Sequence, residues 1–82
     1  MATGDVTLSL AVEGGVTKSV VLDSATRALS RTKVAAINAT IDTDAEWQAY
    51  EVNKLANVIL GQANDQAQRA ASWTPKTFTA AT

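Results

Sequence analysis

From Val6 to Val12 apolar residues alternate without a break with small or polar ones, and Val16 to Leu22 repeats the period on the far side of Glu13-Gly14-Gly15. A period of two is the spacing of a half-buried β-strand, so the chain is expected to open with a hairpin. The side-chain faces choose its register, because directly opposed residues of an antiparallel pair point to the same side of the sheet. A two-residue Gly14-Gly15 loop pairs Glu13 with Val16 and sets Leu8 and Leu10 opposite Val21 and Ser19, which strands Val16, Val20 and Leu22 on the other face. A three-residue loop of Glu13, Gly14 and Gly15 instead pairs Val12 with Val16, Leu8 with Val20 and Val6 with Leu22. That register gathers nearly all the branched residues on one side, and it is the one predicted, with a glycine supplying the positive φ of the turn. Lys18, opposite Leu10, is the exception on that face; its stem can lie along the sheet while its head reaches water.

"LDSATRALSRTKVAAINA" follows, in which Asp23 or Ser24 can cap a helix rich in Ala, Leu and Arg. Ala25, Ala28, Leu29, Thr32 and Ala36 form a shallow stripe on it, and Val34 to Ile41 reads equally as helix or as an alternating strand. A second helix opens with a capping box, Thr43 followed three residues later by Glu46, and Asp42, Asp44 and Glu46 suit the positive end of its dipole. Running from Asp44 to about Ala71, it would span about 42 Å. At about 100° per residue, Val52, Leu55, Ala56, Ile59, Leu60, Ala63, Ala67 and Ala70 share a broad apolar arc, while Trp47, Tyr50 and Val58 lie opposite. Two apolar sides call for two partners. "SWTPKTFTAAT" then breaks the helix at Pro75 and continues as a Thr-rich tail anchored by Trp73 and Phe78. The fold class expected is α+β: an N-terminal β-hairpin packed on a short helix and a long C-terminal helix within residues 1–71, with an extended tail over residues 72–82.

Composition narrows the function. A chain of 82 residues buries only about 60% of the surface its unfolded form exposes, so its core is thin. With no cysteine and no histidine, neither a disulfide nor a His/Cys metal centre can reinforce it. Self-association, or membership of a larger assembly, is the expected support. Seven Lys and Arg against eight Asp and Glu leave a net charge of −1, which gives no general attraction to nucleic acid or to an anionic membrane. No apolar run reaches the ~20 residues of a membrane span. "MATGDVTLSL" lacks the charged start and apolar core of a secretion signal, so the chain is expected to be made in a cytoplasm and the Asn38-Ala39-Thr40 glycosylation acceptor to go unused.

Candidate chemistry is sparse. Phosphate-binding glycine loops lead from a strand into a helix N-terminus, whereas Gly14-Gly15 leads into a second strand. Ser30-Arg31-Thr32-Lys33 matches Ser-x-x-Lys without the partner motifs of that enzyme class. "DTDAE" places three carboxylates within five residues, but an EF-hand would need glycine and glutamate where Trp47 and Asn53 stand, and helix capping accounts for the acids. Arg27, Arg31 and Lys33 form the one basic cluster, able to meet phosphates or an acidic partner, and no aromatic residue is interleaved for base stacking. No catalytic residue, cofactor or metal ligand is assigned. Trp47 and Tyr50 carry most of the aromatic area, and together with Val58, Trp73 and Phe78 they are the expected interface.

The outline "VTLSLAV", then "TDAEWQAYEVNKLANVILGQANDQAQ" ending in an Ala-rich stretch, resembles small tailed-bacteriophage virion-associated proteins. These have a "VTLTL"-type strand, a middle segment, and a helix that opens with an acidic-aromatic pair and closes in Gln, Glu and Ala; Glu46-Trp47 and Gln62 to Ala71 stand in those places. The likeness spans about half of the chain, and the Glu13-Gly14-Gly15 hairpin departs from it. It implies a structural or assembly component of a phage particle, capsid or tail, found in the virion or the host cytoplasm and partnered by copies of itself or by larger virion proteins. The competing expectation is a dimeric ribbon-helix-helix DNA-binding regulator, with Thr17, Lys18 and Ser19 near bases and Arg27 or Arg31 on phosphates.

Overall fold

The computed structural model describes residues 3–70 and 72–81. The chain is α+β, a two-strand antiparallel hairpin followed by two helices: β1 (Val6–Ala11), β2 (Thr17–Leu22), α1 (Ser24–Ile37) and α2 (Asp44–Ala67). It divides into two units, one up to Thr40 and one from Ile41 onward.

In the first unit the strands pair in the register that the faces predict, with Val6 opposite Leu22, Leu8 opposite Val20 and Leu10 opposite Lys18. The loop closes as a turn in which Gly15 N–H donates to the Val12 carbonyl at 2.8 Å. The residue at positive φ is Gly14, at 79°. A positive φ at the third position is the mark of a type II turn, which glycine adopts without a Cβ penalty. Asp23 is the N-cap of α1, its carboxylate accepting from Thr26 N–H at 2.8 Å. A second carboxylate, Asp5, accepts from Ser24 N–H at 3.0 Å, so two of the amides that a helix start leaves unpaired are satisfied from different parts of the chain.

Val34 to Ile37 is helix, and Asn38 explains where it stops. Asn38 takes an extended conformation while its N–H still bonds the Val34 carbonyl. Its own Oδ1 accepts from Thr40 N–H at 3.1 Å and from Thr40 Oγ1 at 2.7 Å, an Asx turn that competes with another helical turn.

The face of α1 departs from expectation. Ala25, Ala28, Leu29, Thr32 and Ala36 are all exposed, and the sheltered face carries Ser24, Arg27, Arg31 and Val34, the last only 4% exposed. The reason is polar. Arg27 Nε donates to the Gly4 carbonyl at 2.9 Å, and with the Asp5 bond it ties the turn leading into β1 to the charged side of the helix.

In the second unit Thr43 caps α2. Its Oγ1 accepts from Glu46 N–H at 3.2 Å and donates to the Glu46 carboxylate at 2.9 Å. That carboxylate also accepts from Asp42 N–H at 3.4 Å. The 24-residue helix is about 36 Å long, shorter than expected because it stops at Ala67; the expected end near Ala71 falls on a residue outside those described. Its apolar arc splits. Ala56, Leu60 and Ala67 are half-buried together with Asn53 and Asn64, while Val52, Leu55 and Ile59 stay exposed.

Candidate functional site

The hairpin presents the largest concentration of unsheltered aliphatic side chains in the first unit. Along its branched face Leu10, Val12, Val16 and Val20 each leave more than half of their surface exposed, and Leu22 more than a third. Pairing brings them together: Val12 N–H donates to the Val16 carbonyl at 3.4 Å, and that bond fixes which residues of the ladder face each other directly. The opposite face holds Thr7, Ser9, Ala11, Thr17, Ser19 and Val21. One side is thus nearly all branched and the other nearly all small or polar, with Lys18 the single charge on the apolar side.

The same phase turns the backbone groups of Thr17, Ser19 and Val21 outward along β2, and those of Thr7, Ser9 and Ala11 outward along β1. Among the described residues the sheet has two strands, and a two-stranded sheet is of marginal stability in water by itself.

The expected interface residues are distributed differently. Trp47 is 4% exposed; its surface is spent within the chain. Tyr50 is half-buried, with Lys54 Nζ 5.3 Å from its ring centroid and held there by Glu51 at 3.1 Å, a cation–π contact on one helical turn. Val58 is more than half exposed, and Trp73 and Phe78 retain about two-fifths of their surface. Within the basic cluster, Arg27 and Arg31 are half-sheltered and Lys33 is exposed, so the three do not form one open patch. Glu13, Gly14 and Gly15 form the turn.

Strand alternation also separates the residues a DNA-reading strand would use. Thr17 and Ser19 share one face, and Lys18 lies on the other, opposite Leu10. The Arg27 guanidinium is already bonded through Nε to Gly4.

Two carboxyls are displaced from their ordinary range. Asp23 is lowered by the hydrogen bonds from Thr26, the side-chain contact first. Glu46 is lowered by its contacts with Asp42 and then Thr43. Both shifts arise from capping. Among the described residues no group of three or more His, Cys, Asp and Glu is placed to hold a metal ion, and no helix is long and apolar enough to cross a membrane. The chain matches no protein-family model, no curated protein and no solved structure.

Proposed function

We propose that this chain is a non-enzymatic assembly module that docks through the branched face of its hairpin, with a second copy of itself as the first partner. The observation that carries this reading is exposed apolar surface. On the branched face of the hairpin Leu10, Val12, Val16 and Val20 each leave more than half of their surface exposed, and full burial of such a side chain is worth about 1.5–3 kcal/mol.

The absence of histidine and cysteine supports a role without catalysis, since acid–base or nucleophilic work would rest on carboxylates, Lys or Tyr. The resemblance of "VTLSLAV" and "TDAEWQAYEVNKLANVILGQANDQAQ" to small tailed-phage proteins supports placing the module in a virion or its assembly, with larger virion proteins as further partners. Val58, Trp73 and Phe78 supply additional contact area on the second unit.

Size-exclusion chromatography with light scattering across a concentration series tests the reading. Dimers or larger species are expected for the natural chain and monomers for Val16→Asp. A well-folded monomer at every concentration that also binds no virion protein removes the proposal.

A further inference from the structure

Residues 73–81 form neither helix nor strand, yet two of them are gripped through their backbones by α2. Asn64 Oδ1 accepts from Lys76 N–H at 2.7 Å while Asn64 Nδ2 donates to the Lys76 carbonyl at 3.3 Å. Asn53 repeats the arrangement on Ala81, with 2.8 Å from Ala81 N–H to Oδ1 and 3.3 Å from Nδ2 to the Ala81 carbonyl. Each carboxamide thus meets the donor and the acceptor of a single residue, as a neighbouring β-strand would. No side chain of the gripped residue takes part in these bonds.

The spacings agree independently on helix and tail. Asn53 and Asn64 are eleven residues apart, which is three turns to within about 20° and about 16.5 Å along the axis. Lys76 and Ala81 are five residues apart, about 16.5 Å in an extended chain. A flat strand would turn these two backbones to opposite sides, because its faces alternate. Both meet the helix if the segment rotates about 144° per residue, between the roughly 120° of polyproline II and the 180° of a strand. Pro75 stands just before the first gripped residue, where it biases the chain toward extended entry and removes no N–H that the clamps need. Leu60, on the same helix face between the two asparagines, is half-buried.

We infer that α2 carries a two-point clamp, Asn53 and Asn64, forming a backbone-reading site for an extended peptide antiparallel to the helix, and that residues 76–81 of the same chain are its occupant. The site belongs to the second unit and does not depend on the hairpin docking proposed above. Because it reads backbone atoms, it accepts the segment by length and twist more than by side chains.

Amide hydrogen exchange by NMR on the full chain tests the clamp. Lys76 and Ala81 amides are expected to exchange about tenfold more slowly than those of Thr77 to Ala80, the scale of one net hydrogen bond. Asn64→Ala should release Lys76, Asn53→Ala should release Ala81, and Asn57→Ala, one turn from Asn53, should release neither. Alanine favours helix more than asparagine, so α2 persists in all three variants and circular dichroism verifies it. Deleting Thr79 shortens the span by about 3.3 Å and should leave one of the two amides protected. Free-peptide exchange at both Lys76 and Ala81 in the natural chain overturns the clamp, as does equal loss of protection in Asn57→Ala. Protection that appears only as concentration is raised gives the site to another copy's tail and overturns the assignment of the occupant.

Discussion

Gly14 and Gly15 are adjacent and chemically identical, yet they carry different obligations. At Gly14 φ is 79° and a Cβ would meet nothing within 4 Å, so the obstacle to substitution is backbone strain alone. Gly14→Ala is expected to cost about 1–2 kcal/mol in urea unfolding, and Gly14→Asn less, since asparagine tolerates the left-handed region. At Gly15 the obstacle is space: a Cβ would lie 3.3 Å from Val12 Cβ, which a small shift of the loop can relieve. A larger loss at Gly15→Ala than at Gly14→Ala would refute this division. Thr43 is the other residue on which local structure turns. Thr43→Ala should cost about 1 kcal/mol, the usual worth of an N-cap, read as a lower unfolding midpoint followed by α2 helicity. It should also raise the Glu46 titration midpoint toward its ordinary 4.5, because a contact that favours the carboxylate is gone. The sign with pH follows. Asp23 and Glu46 are depressed in the folded chain, so their stabilisation is fully present above the unfolded carboxyl range and is lost as pH falls through the folded values. Acidification from pH 6 to pH 3 should therefore lower the thermal midpoint, and less so in Thr43→Ala.

Elements differ in how much of them could be read in advance, and α1 shows why. The hairpin register was legible because faces must match across a ladder, so two strands constrain each other. The α2 start was legible because Thr43 and Glu46 act within one turn. The face of α1 was not, because hydrophobic period assumes that the apolar side goes inward, and here Arg27 and Asp5 make bonds to backbone groups remote in sequence. The best available signal was the spacing of Ser24, Arg27, Arg31 and Val34 at three, seven and ten residues, a helical stripe of mixed chemistry. Arg27→Ala should consequently act on structure: it should unfix the segment before β1, seen as faster amide exchange around Gly4 and Asp5. Unchanged exchange there would mean that the guanidinium does not hold this segment. The same limit applies to the α2 clamp. Asn53 and Asn64 resemble ordinary polar helix residues until the tail lies beside them, and only then does the eleven-to-five match acquire meaning.

For the whole molecule the decisive quantity is how little aliphatic and aromatic surface is withdrawn from water. Val34 and Trp47 are the buried hydrophobic residues among those described, one in each unit, whereas Leu10, Val12, Val16 and Val20 on the branched face of the hairpin stand open. Local devices such as caps, the turn, the Asn38 Asx turn and the tail clamp set conformation, but each is worth about 1 kcal/mol, against the several kcal/mol available from covering four aliphatic side chains. Stability should then depend on association, and association is governed by mass action. The thermal midpoint of the natural chain is expected to rise with protein concentration, because the folded, associated state is favoured over the unfolded monomer. Val20→Lys, at the centre of the branched face and directly opposite Leu8, should lower the midpoint and flatten that dependence together. The turn and the strand pairing themselves should survive it, since Val20 is already more than half exposed in the single chain. A midpoint that stays constant over a hundredfold range of concentration, with Val20→Lys no less stable than the natural chain, would show that the hairpin face is not where the molecule finds its missing core.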